Sequence, residues 1–279
     1  MANLLDVMTA AEKEKYEHLV MAVDTNIKIS DVILSEDNMS KIEQFKNEIE
    51  HADELEIYGL HPMNRILMYG DSGCGKTLLS KALSNYLGYY MVYVDIAKAL
   101  SDGSVSKSIS DIFMLANKYK RCLIFFDECD SIAWNRDTQN GEGGVARRAT
   151  NSIFQSLDQM SPSNVFVAAT NMLHRLDAAF ENRFNLKMEF RRPPLDIEEV
   201  ARKFILPQFS ITGTVGDVKR NTVNKRCTLS YRELRSIVER AMKIAVIDRS
   251  MCIDVDSLYD AVAKQQDIRL RYIENKGTE

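Results

Sequence analysis

Residues 70–77 read Gly70-Asp71-Ser72-Gly73-Cys74-Gly75-Lys76-Thr77, which matches the pattern GxxxxGK[ST]. An apolar run at 66–69 precedes this loop and a helical pattern that starts at Leu78 follows it. Glycines let the backbone approach phosphate oxygens, so that successive N–H groups and the start of the helix bind the anion. Lys76 is then placed to reach the β- and γ-phosphates, and the Thr77 hydroxyl to help hold Mg²⁺. The sequence therefore predicts a nucleotide-binding loop from Gly70 to Leu78.

The chain around this loop alternates short apolar runs with helical segments, which is typical of a parallel sheet sandwiched by helices. We predict strands at 65–69, 90–94, 121–126, 165–170 and 186–190. Upstream, helical spacing predicts a leading helix within 11–30 and a second helix from Ser40 to Glu54. Past Pro193-Pro194 the apolar spacing is helical throughout, and it predicts helices at 196–209, 230–248 and 254–270. A small all-helical domain is therefore expected to follow an α/β domain.

Composition favours a soluble globular protein of the cytoplasm. The 279 residues suffice for one or two domains with a buried core. Because 36 Lys and Arg stand against 40 Asp and Glu, no overall charge attracts nucleic acid, although a local basic patch would not appear in this sum. The five cysteines show no Cys-x-x-Cys spacing and are expected to be reduced. No apolar stretch approaches the roughly 18 residues of a membrane span, and no signal-peptide core is present.

Two adjacent carboxylates, Asp127 and Glu128, end the apolar run 123–126, about 50 residues after Lys76. In doubly wound sheets, ligands bind at the carboxyl ends of the strands. Asp127 is predicted to face the ion held by Thr77, directly or through water, and Glu128 to polarise an attacking water. Taken alone, the pair fits an acidic strand end in solvent; the upstream loop favours the catalytic interpretation.

Asn171 follows the apolar run 165–170, and two interpretations of it stay open. An asparagine at a strand exit is ordinarily a turn former. Its side-chain amide would alternatively hold the lytic water opposite Glu128.

Taken in order, these motifs resemble an AAA+ ATPase, and specifically the AAA branch that includes spastin, katanin and small bacterial and phage ATP-binding proteins. The resemblance rests on residues 70–77, 127–132, 168–171 and 176–184, and it covers about 30–270. It implies a P-loop NTPase parallel sheet sandwiched by helices, followed by a small all-helical AAA+ lid domain. The implied domains are an N-terminal helical extension at 1–30, a large ATPase subdomain at 31–192 and a lid at 193–279.

The resemblance also implies the roles of single residues and the ligands, ATP and Mg²⁺. Lys76 and Thr77 match the Walker A lysine and hydroxyl. Asp127 and Glu128 match the Walker B pair, and Asn171 matches the sensor 1 residue.

Arg183 matches an arginine finger, which would stabilise charge on the γ-phosphate in the neighbouring subunit's site. Without the resemblance, Arg183 fits an ordinary surface arginine on a loop. A finger that acts in trans implies a homo-oligomeric ring, usually a hexamer. Arg232, near the start of a lid helix, lies where AAA+ proteins outside this branch carry a sensor 2 arginine that contacts the γ-phosphate. The alternative is an exposed charged position on that helix.

The chain departs from the family pattern at two places. Protein-threading relatives carry an aromatic pore residue where this chain reads Ala99-Leu100-Ser101-Asp102-Gly103-Ser104. Relatives also carry a further arginine just before the finger, where this chain has Phe180-Glu181-Asn182. A loop at 141–148, which contains Arg147 and Arg148, takes the place of the second pore loop and fits either a channel contact or simple mobility.

The function predicted from these features is ATP hydrolysis by a ring that remodels or disassembles a partner protein, either a client or a companion enzyme. A rival of a different class is an ATP-gated DNA-associated switch of the helicase-loader or transposition-regulator type. The missing pore aromatic and Arg232 favour the rival, whereas the branch resemblance and the balanced charge favour remodelling. A scaffold that barely hydrolyses ATP is a third possibility, against which the intact Asp127-Glu128 pair argues.

Overall fold

The computed structural model describes residues 3–101, 105–131, 143–192, 197–213 and 228–276. The chain divides into two compact units: the first comprises Met1–Gly70 with Lys76–Phe190, and the second comprises Asp71–Gly75 with Arg191–Glu279. Within the described ranges, no helix combines the length and apolarity that a membrane span requires.

A six-stranded sheet forms the centre of the first unit. Its strands are β1 (Val20–Met21), β2 (Arg65–Gly70), β3 (Tyr90–Val94), β4 (Cys122–Phe126), β5 (Val165–Thr170) and β6 (Leu186–Phe190). They lie in the order β1-β3-β4-β5-β2-β6, and every pair is parallel except β1 with β3. Every residue of β4 and β5 is buried, because helices cover both faces. The five predicted strands and the α/β fold class are confirmed.

The strand order places a topological switch at β2. After β2 the chain crosses to β3, returns through β4 and β5, and then passes to β6 on the other side of β2. The carboxyl ends are level, since Tyr69 pairs with Thr170 and Gly70 with Phe190. Ligands bind beyond such a switch. The carboxyl ends of β2, β4 and β5 and the start of α5 therefore lie at one edge of the sheet.

Nine helices cover this sheet in the described part of the first unit, together with short 3₁₀ turns. They are α1 (Leu4–Val7), α2 (Ala10–Tyr16), α3 (Glu36–Glu50), α4 (Ala52–Ile57), α5 (Lys76–Leu87), α6 (Ile96–Ser101), α7 (Val105–Tyr119), α8 (Gly143–Asp158) and α9 (Ala178–Glu181). The aromatic core centres on Phe166, whose ring centroid lies 5.7 Å from Phe113 and 5.2 Å from Phe126. Burial of these rings is the main stabilising contribution of this core.

The N-terminal residues differ from the sequence prediction. The predicted leading helix ends at Tyr16, and Val20–Met21 forms an antiparallel edge strand on β3. Glu12 attaches α2 to the end of α7. Its carboxylate accepts hydrogen bonds from Lys118 Nζ at 2.6 Å and from the Tyr119 hydroxyl at 2.7 Å. These donors and Thr9 lower the pKa of Glu12 to about 2. The second helix begins at Glu36 rather than near Ser40, because the Ser35 hydroxyl caps it.

The second unit contains three helices and a short parallel strand pair among its described residues. The elements are α10 (Ile197–Phe204), β7 (Ser210–Thr212), α11 (Tyr231–Ile247), β8 (Cys252–Asp254) and α12 (Val255–Lys276). The prediction that this region is helical throughout was wrong for β7 and β8. The helix predicted to run to residue 209 ends at Phe204, and Pro207 disfavours helical conformation in the residue before it.

Gly70 is required by the close approach of β2 to β6. Its φ is +122°, and an added Cβ would lie 2.1 Å from the Phe190 carbonyl oxygen. We expect Gly70→Ala to lower the free energy of unfolding by at least about 3 kcal/mol, since backbone strain and a steric clash add. Thermal and urea unfolding measure this loss.

Gly59→Ala is the matched control for this prediction. Gly59 also has a positive φ, +71°, but nothing lies within 4 Å of its added Cβ. Its loss should stay near 1 kcal/mol, the cost of backbone strain alone. Equal losses for both variants would contradict the steric argument at Gly70.

Candidate functional site

The structure brings Thr77 and Asp127 into direct contact. Thr77 is the second residue of α5 and Asp127 follows β4, so both lie at the carboxyl edge of the sheet. The Thr77 hydroxyl donates to Asp127 Oδ2 at 2.6 Å, and the Glu128 N–H donates to Asp127 Oδ1 at 3.0 Å. A hydroxyl beside a carboxylate is an oxygen donor set that suits Mg²⁺, which takes its other ligands from water and phosphates in such sites.

Lys76, the first residue of α5, reaches back to the end of β2. Its side chain is buried, and Nζ donates to the Gly70 carbonyl oxygen at 2.6 Å. A buried ammonium is costly unless its donors find partners. The contact with Gly70 holds this charge at the carboxyl end of β2, where a phosphate would meet it.

Glu128 has an uncommon backbone conformation, with φ of +52°. The residue is exposed, and Ser131 stabilises its backbone by donating a hydroxyl hydrogen bond to the Glu128 carbonyl oxygen at 2.9 Å. Its carboxylate makes no hydrogen bond with any other residue that the structure describes. Strained backbone of this kind concentrates at functional sites. The carboxylate is thus presented to solvent beside Asp127.

Asn171 is the first residue after β5 and is exposed. Its neighbour Thr170 donates to Asp130 Oδ1 at 2.7 Å and accepts from the Met172 N–H at 2.9 Å. This bridge ties the exit of β5 to the segment that follows β4. The sequence does not predict the Thr170–Asp130 hydrogen bond, because a threonine at the end of a strand is not a recognisable motif.

Arg183 lies against α8 of its own chain. Its guanidinium donates to Asp158 Oδ1 at 2.6 Å and lies 4.3 Å from the centroid of the Phe154 ring. The side chain is 31% exposed, so one side of the group stays accessible. Among the described residues, Arg183 makes no contact with Lys76, Thr77 or Asp127. Its side chain is partly accessible to another molecule.

Arg232 contacts the nucleotide-binding loop through its backbone. Within the second unit, the Arg232 N–H donates to the Gly73 carbonyl oxygen at 3.1 Å, while the Arg232 side chain is exposed. Gly73 has φ of +75°, and an added Cβ would make a tight contact, 3.0 Å from Ser230 Oγ. Sequence analysis also missed Arg192, whose Nε lies 3.3 Å from Asp71 Oδ2.

A tyrosine that the sequence analysis did not single out also reaches the carboxylate pair. The Tyr93 hydroxyl donates to Asp127 Oδ2 at 3.1 Å. Burial and the Asp127 carboxylate raise the pKa of Tyr93. The only sequence signal was its place one residue before the end of β3, the strand that pairs with β4.

Comparisons with known proteins agree with this architecture. Residues 66–192 match the family model of the ATPase family associated with various cellular activities (AAA). These residues are thus similar to an AAA ATPase domain. The chain is also 31% identical over 222 residues to "Uncharacterized AAA family ATPase y4kL" of Sinorhizobium fredii (strain NBRC 101917 / NGR234). That alignment covers 79% of this chain and 66% of the relative.

The family match covers the predicted nucleotide-binding motifs. The match ends at residue 192, and it includes the loop at 70–77, the Asp127-Glu128 pair, Asn171 and Arg183. Membership of the spastin and katanin branch stays a prediction, as do the roles of single residues and the predicted domain boundaries. Residues 102–104 of the pore-loop departure, residues 141–142 and the side chain of Arg147 lie outside the described residues. The loop predicted at 141–148 is helical from Gly143, where α8 begins.

Proposed function

We propose that this chain hydrolyses ATP within a homo-oligomeric ring in the cytoplasm, and that hydrolysis drives remodelling or disassembly of a partner protein. The observation that carries the proposal is the Thr77–Asp127 contact beside the exposed Glu128 carboxylate. It joins the start of α5 to the acidic end of β4 at the switch point. The AAA domain match supports the reaction class.

Each residue of this edge has a place in the reaction. Lys76 and the loop N–H groups bind the phosphates, and Thr77 with Asp127 would hold Mg²⁺, which supplies charge neutralisation when bound. Glu128 accepts a proton from the attacking water. Asn171 orients that water through its side-chain amide, and Arg232 contacts the γ-phosphate within the same subunit.

The ring follows from the proposed role of Arg183. Among the described residues its guanidinium contacts Phe154 and Asp158 on α8, and the Arg183 side chain is partly exposed. We infer that Arg183 enters the site of a neighbouring subunit and stabilises charge on the γ-phosphate there. Because the donating and accepting surfaces differ, this contact is heterologous, and such contacts build a ring when the rotation between subunits closes. We propose that the ring is a hexamer.

Remodelling of a protein is preferred to a DNA-associated switch because the formal net charge is −4. Salt dependence of DNA binding separates the two. A protein that contacts DNA through six or more phosphates loses about 10³-fold or more in affinity between 50 and 200 mM salt. We expect no such affinity for single- or double-stranded DNA, measured by filter binding in ATP.

The DNA experiment is best performed with Glu128→Gln, which should stay ATP-bound, and with Lys76→Ala as the nucleotide-free control. Tight binding by Glu128→Gln with a steep salt slope, and loss of binding by Lys76→Ala, would favour the switch. Absence of DNA binding together with ATP-dependent ring assembly supports protein remodelling.

A further inference from the structure

Tyr93 occupies a well-defined position beside the Walker B carboxylate. Tyr93 pairs with Phe125 across the parallel strands β3 and β4, and the two ring centroids lie 5.0 Å apart. Lys81 Nζ, one turn beyond Thr77 on α5, lies 6.0 Å from the Tyr93 ring centroid. Strand register and these ring contacts restrict the tyrosine, so its hydroxyl position is set by the sheet.

The hydrogen bonds of Asp127 show what this hydroxyl adds. Oδ2 accepts from both Thr77 at 2.6 Å and Tyr93 at 3.1 Å, whereas Oδ1 accepts only the Glu128 N–H among the described residues. An ionised carboxylate has about four lone-pair sites, so Oδ1 keeps one to offer. Two hydroxyl groups thus hold one oxygen, and the other keeps a lone pair for a ligand.

The terminal torsion of an aspartate is broad, and each hydrogen bond to the carboxylate narrows it. Thr77 is itself the proposed ligand of Mg²⁺, so its hydroxyl serves the metal as well as Asp127. Tyr93 is the other side-chain donor to Asp127 in the described part of the chain. A phenolic hydroxyl is protonated at neutral pH and remains a donor.

We propose that Tyr93 is a positioning residue that fixes the Asp127 carboxylate in the orientation that binds Mg²⁺. This inference rests on the proposed function, which makes Asp127 a group that holds the metal. It predicts that Tyr93 acts on metal binding through Asp127 and does not contribute to nucleotide binding in the absence of metal.

Tyr93→Phe tests the proposal, since it removes the hydroxyl and keeps the ring. A fluorescent ATP analogue is titrated with protein at increasing Mg²⁺ and, separately, in EDTA. We expect the Mg²⁺ concentration for half-maximal effect to rise about 10-fold, the scale of a lost hydrogen bond to a charged group. Affinity in EDTA should match that of the wild type.

Tyr90→Phe is the matched control, because Tyr90 lies on the same strand and its hydroxyl has no hydrogen-bond partner among the described residues. Its Mg²⁺ dependence should be that of the wild type. An unchanged Mg²⁺ requirement in Tyr93→Phe, or an equal shift in both variants, would overturn the proposal.

A double-mutant cycle with Asp127→Asn gives an independent readout. If Tyr93 acts through Asp127, Tyr93→Phe should produce no further shift in the Asp127→Asn background. Additive shifts would overturn the positioning role. These outcomes differ from failure of the proposed function, in which the wild type would bind the analogue without any Mg²⁺ dependence and would not hydrolyse ATP.

Discussion

Glu128→Gln is expected to lower the steady-state ATPase rate by about 10²- to 10⁴-fold, the usual contribution of a general base. The glutamine amide keeps the size of the side chain but cannot accept the proton of the attacking water. Because the Glu128 carboxylate is exposed and makes no hydrogen bond within the described structure, its replacement should leave stability unchanged. Phosphate release measures the rate, and a fluorescent ATP analogue measures binding, which should be retained.

Glu56→Gln is the matched control for Glu128→Gln. Glu56 is an exposed carboxylate on α4, a helix that supplies none of the proposed site residues. Its rate should equal that of the wild type. A Glu128→Gln rate within twofold of wild type would contradict the assignment of Glu128 as the general base.

Arg183→Ala is expected to lower the ATPase rate by about 10³-fold or more, the scale of an arginine finger. The guanidinium charge acts on the γ-phosphate of a neighbour, where it stabilises charge that develops in the transition state. ATP affinity should change far less than the rate. Comparison of kcat, of analogue binding and of oligomer mass for the same preparation measures these separately.

A variant of Asp158 distinguishes a catalytic role of Arg183 from a structural one. Arg183 is paired with Asp158 in its own chain, and a partly exposed pair stabilises a protein by at most about 1 kcal/mol. Asp158→Asn removes the ion pair and keeps the guanidinium, so it should retain most of the activity. If Asp158→Asn lost as much activity as Arg183→Ala, Arg183 would act by supporting α8. Arg235→Ala, which removes an exposed arginine of α11, controls for the loss of charge.

The strands of the sheet could be predicted because burial on both faces leaves a simple signal. Strand β4 reads Cys122-Leu123-Ile124-Phe125-Phe126, an apolar run that needs no partner to be recognised. Strand β1 has only two residues, and β7 and β8 have three each, so their alternation cannot be separated from helical spacing. Their existence depends on a neighbouring strand, which a sequence pattern does not supply.

The same distinction applies to the site. The loop at 70–77 and the Asp127-Glu128 pair are contiguous in sequence, and the structure brings Thr77 and Asp127 into the contact that the prediction requires. Tyr93 reaches Asp127 only because β3 pairs with β4, which the sequence alone does not specify. The contacts of Arg183 with Phe154 and Asp158 likewise depend on the packing of α8.

The shared site is tested most directly by mixing two inactive variants. Arg183→Ala subunits keep Lys76, and Lys76→Ala subunits keep Arg183, so a neighbouring pair of the two forms one complete site. In randomly mixed rings at equal amounts, about one quarter of the interfaces are complete, and the ATPase rate should recover toward that fraction of the wild-type rate. Mass photometry of differently tagged subunits verifies mixing. No recovery in confirmed mixed rings would contradict a site completed by the neighbouring subunit.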